Sequence, residues 1–189
     1  FIKRPSLWME MAARYKATIS FAPNFAYGLA TKRTSTEKVA AMDLSALRIL
    51  GAGAEPNHPE VLNSFLEHFA PSGLRASAIM PAYGMAEATL GMAFGIADER
   101  FRVDRVDGDS YQAKGIAEPS ISESRSVLEF VSCGRVLARH EIEIVDEEFE
   151  VLPERHVGEI RFRGPSVTGR YLDNNDATEQ TFTPRGLLT

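Results

Sequence analysis

Glu87 is the only carboxylate in PAYGMAEATLG, residues 81–91, and it stands four residues past Tyr83 among small residues. The apolar segment ASAIM leads into this stretch, and no charge lies between Arg75 and Glu87. A ring at the end of a strand can stack on a purine, and small neighbours leave room for a sugar and a phosphate. A carboxylate one turn later can hold Mg2+ against that phosphate. Taken singly, Tyr83 reads equally as a core aromatic and Glu87 as a first-turn carboxylate favoured by a helix dipole. The combination is what favours chemistry.

GAGAEP, residues 51–56, opens like a dinucleotide fingerprint, but Pro56 stands where G-x-G-x-x-G requires its third glycine. No acidic residue stands out at the end of a following strand to hold a ribose, and no G-x-x-x-x-G-K-[ST] occurs. A simple Rossmann oxidoreductase and a P-loop enzyme are therefore disfavoured. Gly51 and Gly53 still imply a backbone that comes close to something flat or bulky, although a ligand-free tight turn fits them as well. His58, His68, His140 and His156 lack metal-ligand spacing. Cys133 has no histidine beside it and reads as a small packed residue.

The elements that must position these residues follow from periodicity. RPSLWMEMAARYKA carries apolar residues at helical spacing after Pro5, and TISFA reads as a short buried strand. A helix is expected over about 25–33, then a polar loop, TKRTSTEK. LRILGAGAEP reads as a strand entering a glycine turn. In the next segment Pro59 opens a helix whose apolar face is Val61, Leu62, Phe65, Leu66 and Phe69, with Gly73 past its end. ASAIMPAYG is a third strand, followed by an expected helix from about Met85.

Strand, turn and helix repeat three times, which argues for an α/β fold with a parallel sheet and flanking helices. In such sheets ligands bind outside the carboxyl ends of the strands. APNF, GAGAEP and PAYGMAE should therefore converge there.

The texture changes near Asp98. Residues 98–126 are polar and rich in turn formers, an expected surface insertion or linker. Beyond them VLEFVS, HEIEIVD, FEVL and VGEIRFRG read as strands of a small antiparallel, barrel-like subdomain, the EIEIVDEEFE run forming a solvated strand face and a turn. The expected division is 1–97, 98–126 and 127–189. A net charge of −5 disfavours a nucleic-acid surface, and the glycines, Pro81 and Glu87 make residues 76–97 a poor membrane span. A single cysteine suggests a reducing compartment, hence the cytoplasm.

PAYGMAEATL, with GAGAEP upstream and GEIRFRGPSVTGRYL downstream in that order, resembles the adenylate-forming superfamily of acyl- and aryl-CoA ligases, peptide-synthetase adenylation domains and luciferases. The wording of residues 4–30, of YGMAEATLG and of VSCGR is similar to the fatty acyl-AMP ligases, as is Ala86, where the wider superfamily commonly has threonine. The resemblance implies ATP and Mg2+ as cofactors, a fatty acid as substrate, and an acyl carrier protein or polyketide synthase as partner. It implies that Tyr83 stacks on adenine, that the Ala82 backbone reads its edge, and that Gly53, Ala54 and Glu55, with Pro56, form the opposite wall. Gly84, Met85 and Ala86 would continue the nucleotide site, and Glu87 would bind Mg2+ as the catalytic carboxylate. Asn24, Phe25, Gly51 and Met85 would line the acyl channel.

The resemblance further places the phosphate loop before residue 1, and the ribose aspartate and catalytic lysine after residue 189. The chain alone would then be inactive, an internal piece of the large N-terminal domain. Residues 98–126 would belong to an insertion that hinders use of coenzyme A. An acyl-CoA ligase and a non-catalytic nucleotide-binding module of the same fold are the alternatives.

Overall fold

The computed structural model describes residues 2–121 and 125–189. Residues 122–124 of the polar segment expected over 98–126 lie outside the described residues. The chain forms two compact units. The first holds the residues up to Tyr83 together with Phe94–Val103 and Phe130–Arg135; the second holds Gly84–Ala93, Asp104–Glu129 and Val136–Thr189. Among the described residues no helix is long and apolar enough to cross a membrane.

The first unit opens with α1 (Ser6–Arg14), β1 (Ile19–Ala22), α2 (Asn24–Arg33), α3 (Thr36–Ala40), β2 (Ile49–Ala52), α4 (Pro59–Phe69) and β3 (Ile79–Met85). β1, β2 and β3 lie side by side in that order, all parallel. Phe21, Gly51 and Met80 are level across the three strands, as are Ala22, Ala52 and Pro81. Parallel pairing without a hairpin requires crossovers, and the helices supply them.

α4 begins at Pro59, whose ring is tolerated in a first turn, and Gly73 at φ +80 stops the chain after it. Its predicted face is buried: Leu62, Phe65 and Phe69 have no exposure at all. Phe65 meets the Tyr27 ring edge-on at 5.0 Å and Phe69 at 4.6 Å, while Trp8 meets Tyr27 at 5.2 Å. The buried Tyr27 hydroxyl donates to Gly51 O at 2.9 Å, so the aromatic core is tied by a satisfied hydrogen bond to the middle strand. Burial drives the Tyr27 pKa far above the ordinary phenol value, which keeps it a donor.

Several expectations need correction. TKRTSTEK is not a loop: α2 continues through Arg33, and α3 starts at once because Ser35 caps it, its hydroxyl accepting from Lys38 N. The helix expected from Met85 is absent. β3 extends through Met85, a single 3-10 turn covers Ala86–Ala88, Thr89 adopts a left-handed φ of +68, and β4 (Leu90–Phe94) follows. The left-handed residue ends the helical turn, and the apolar run LGMAF buries Met92 and Ala93 as strand residues.

β5 (Val103–Asp107) and α5 (Gly108–Lys114) lie in the polar stretch. Asp107 caps α5 through Ser110 N, and Gly115 at φ +65 ends it. β6 (Val127–Val131), β7 (Arg135–Val136), β8 (Glu141–Val145), β9 (Glu159–Arg163), α6 (Asn175–Thr181), β10 (Phe182–Thr183) and β11 (Gly186–Leu188) complete the chain. The second unit carries an antiparallel sheet in the order β10-β11-β9-β8.

FEVL is not a strand there; Val151 makes only an isolated bridge to Val145. The Asp146 carboxylate accepts from Glu148 N and Glu150 N and curls this segment into a turn. The charged face of β8 and β9 is paired rather than simply solvated. Glu141 is level with Arg163 and Glu143 with Arg161, at 2.8 and 2.9 Å. Arg161 is buried, and Phe149 O accepts a further hydrogen bond from it.

Removing the Phe65 ring leaves a cavity at the centre of the first unit. In urea unfolding of the intact protein, Phe65→Ala should cost about 3–5 kcal/mol. Leu172→Ala, at a residue 86% exposed, should change stability by less than about 0.5 kcal/mol.

Candidate functional site

At the carboxyl edge of the parallel sheet, the loops that follow β1 and β2 brace each other. β1 leads to Asn24, whose buried side chain accepts from His58 N at 3.1 Å and so ties the start of α2 to the start of α4. β2 leads to the GAGAEP loop, where Glu55 Oε1 accepts from Phe25 N at 2.6 Å. A carboxylate on the first turn of a helix satisfies an otherwise unpaired N–H and complements the helix dipole. Asn57 Nδ2 donates to Ala52 O at 3.0 Å and holds the far side of the same loop.

Two glycines set how tightly this edge closes. A Cβ on Gly53 would stand 2.7 Å from Ala82 O, so only glycine lets the loop pass so near β3. A Cβ on Gly51 would stand 2.0 Å from a Phe21 ring carbon; the Phe21 ring covers the Gly51 backbone while remaining 57% exposed. Ala54, at φ +67, occupies the left-handed region and Pro56 follows on the exposed side. The fold thus brings Asn24, Phe25, Gly51, Gly53, Ala54, Glu55 and Ala82 to one edge. Tyr83 is half-buried beside Ala82, and the Phe25 ring is exposed.

The rest of the motif belongs to the second unit. Gly84 and Met85 are half-buried and Ala86 is exposed. The chain doubles back so closely that a Cβ on Gly84 would stand 1.7 Å from Leu90 O. Residues 166–171, which follow β9, hold the turn at Glu87. Thr168 N donates to Glu87 O at 2.8 Å, and Thr89 Oγ1 donates to Ser166 O at 2.7 Å. The Tyr171 hydroxyl donates to the Glu87 carboxylate. His140 Nε2 lies 2.9 Å from Ser166 Oγ and stacks its ring on Phe162, fixing the base of this segment.

That hydroxyl, with a backbone hydrogen bond, holds the Glu87 carboxyl below its ordinary range against a small opposing desolvation, and the same contact raises the Tyr171 pKa. Among the described residues no group of three or more His, Cys, Asp or Glu converges as a metal cage. Mg2+ is bound through one or two carboxylates together with phosphates, so a lone carboxylate such as Glu87 fits a metal that arrives on its nucleotide.

Sequence reasoning missed Tyr171 and Phe21. Tyr171 lies beyond the strand segment VGEIRFRG, and no periodicity links it to a residue 84 positions earlier. Phe21 belongs to the strand expected to be buried, and its ring is exposed because it lies over the Gly51 backbone.

Residues 1–172 match the model of a family described as AMP-binding enzyme. The chain belongs to that family. It is 38% identical over 185 residues to a Mycobacterium marinum 4-hydroxyphenylalkanoate adenylyltransferase, covering 96% of the chain and 29% of that protein. It is 35% identical over 184 residues to the medium-chain-fatty-acid–[acyl-carrier-protein] ligase JamA of Moorena producens, covering 96% of the chain and 31% of that protein. A solved structure from work on fatty acyl-adenylate ligases of E. coli and L. pneumophila superposes with a TM-score of 0.94 at 34% identity, over 99% of this chain and 34% of that one. The chain spans about a third of the length of these relatives.

The lowered Glu87 pKa has a definite sign: its contribution to stability is complete above the unfolded carboxylate value and is lost as pH falls through the lowered folded value. In a carboxyl-carbon NMR titration of the metal-free protein, the Glu87 midpoint should lie below the ordinary carboxylate range. Tyr171→Phe should move it upward, and an unmoved midpoint would contradict the hydrogen bond.

Proposed function

We propose that this chain is part of a fatty acyl-AMP ligase, which joins a fatty acid to ATP as acyl-adenylate and releases pyrophosphate. The observation that carries this reading is the superposition on a fatty acyl-adenylate ligase structure over 99% of the chain. In the reaction a fatty carboxylate oxygen attacks the α-phosphorus of ATP. The new P–O bond forms as the bond from the α-phosphorus to the bridging oxygen of pyrophosphate breaks.

In this reading Tyr83 stacks on adenine, with the Ala82 backbone at the base edge and Gly53, Ala54, Glu55 and Pro56 as the opposing wall. The close approach of Gly53 to Ala82 O keeps that wall near the strand. Gly84, Met85 and Ala86 pass along the phosphates; Ala86 has no hydroxyl, so its contribution there is backbone. Phe25, Gly51 and Met85 border the acyl chain. Asn24 contributes by bracing this edge, since its side chain is buried and bonded to His58 N. Glu87, held ionised, would hold the magnesium of the nucleotide. When bound, that ion neutralises charge building on the phosphoryl oxygens.

The acceptor in this reading is the thiol of an acyl carrier protein or of a polyketide synthase; the name of the Moorena relative gives an acyl carrier protein as the acceptor of that protein. The protein acts in the cytoplasm. A second reading, an aryl-alkanoic acid in place of the fatty acid, is favoured by the 38% identity to the Mycobacterium marinum enzyme.

The test is to incubate the full-length protein with ATP, Mg2+ and a panel of fatty and 4-hydroxyphenylalkanoic acids, then resolve products by mass. Fatty acyl-AMP should dominate. Aryl-alkanoyl-AMP would establish the second reading, and efficient acyl-CoA on adding coenzyme A would move the protein to the CoA ligases. Glu87→Gln keeps the size of the side chain and removes its charge. It should lower adenylate formation by about 10²-fold or more while the fold persists by circular dichroism.

A further inference from the structure

Residues 166–171 meet the Glu87 turn through three hydrogen bonds of different kinds. Two are concerned with the backbone: Thr168 N donates to Glu87 O, and Thr89 Oγ1 donates to Ser166 O. They fix where the turn lies. The third, from the Tyr171 hydroxyl, reaches the Glu87 carboxylate itself. A half-buried glutamate has several rotatable bonds, and freezing them for each binding event costs conformational entropy.

We propose that Tyr171 is a positioning residue: its hydroxyl fixes one oxygen of Glu87, so that the carboxylate is pre-oriented to offer its other oxygen to a magnesium-bearing phosphate. The inference rests on the adenylating role proposed above and assigns within it a residue whose function lies in orientation, not in contact with the nucleotide.

Tyr171 is itself anchored independently of Glu87. Its backbone N–H donates to Thr178 Oγ1 at 3.0 Å, and its ring meets Phe182 edge-on at 5.2 Å. Thr178 is in turn tied by its hydroxyl to Asn174 O at 2.7 Å, within the capped first turn of α6. The ring therefore reaches Glu87 from a fixed base. Removing only the hydroxyl leaves that base, both backbone tethers and the Glu87 charge in place. What changes is the freedom of the carboxylate, together with the hydrogen bond that the same hydroxyl shares with the Thr181 side chain.

The experiment compares full-length wild type and Tyr171→Phe. Adenylate formation is measured against Mg2+ at saturating fatty acid, and Mn2+ binding to the ATP-loaded protein is measured by electron paramagnetic resonance without turnover. A hydrogen bond to a charged group supports an expected loss of about tenfold in apparent metal affinity in both readouts. The KM for fatty acid should stay within about twofold, and the thermal midpoint should fall by no more than the loss of the Glu87 hydrogen bond accounts for. A strut with no positioning role would lower the thermal midpoint or kcat and leave metal affinity unchanged; that result overturns the proposal. If wild type itself makes no acyl-adenylate, the adenylating reading fails instead, which is separable because it shows in the unmutated protein.

Discussion

The candidate nucleotide edge depends on one close approach, that of the Gly53 backbone to the carbonyl oxygen of Ala82. Parallel pairing brings β2 and β3 to the same level at Ala52 and Pro81, and the loop after β2 must then turn away without losing contact with β3. A side chain at position 53 would have to push the two apart. With glycine there, the loop stays against the strand, Glu55 reaches the start of α2, and Asn24 reaches the start of α4. The loops after β1 and β2 each hold the other, so the two are stiffened as a pair. The aromatic cluster beneath it, joined to Gly51 O through Tyr27, holds the middle strand from behind.

The second unit solves a different problem. Its sheet places Arg161 in the interior, where an unpaired guanidinium would be very costly. Cross-strand register supplies Glu143 directly opposite, and the turn at Asp146 delivers Phe149 O to the same side chain. β9 is thereby held in register, and the segment leaving it begins from a defined position. That segment is the one that meets Glu87.

Much of the first unit was legible because its signals are local. Pro59 and Gly73 bound a helix whose apolar residues recur at helical spacing, and three apolar strand segments end in small-residue turns. The failures have physical causes as well. AEATLG has helical composition, but a left-handed Thr89 and burial of Met92 and Ala93 override that preference. Ser35 in TKRTSTEK and Asp107 in VDGDS are helix caps that the polarity of their surroundings concealed. At the candidate site, Tyr83, Glu87 and the glycines stand out by type and spacing. Tyr171 does not, since its contact with Glu87 exists only after the sheet of the second unit has folded.

Ala54 carries a further consequence. An L-residue held at φ +67 has given up its preferred backbone basin, a local cost of order 1 kcal/mol. The chain accepts that cost when it folds, with the loop pinned on one side by the approach of Gly53 to Ala82 O and on the other by the Glu55 hydrogen bond. Under the proposed function, a ligand arriving at this edge would meet a loop whose shape is already set, with little ordering left to be charged against binding. In this loop the strain is a form of memory: folding records a conformation that recognition can later use without having to impose it.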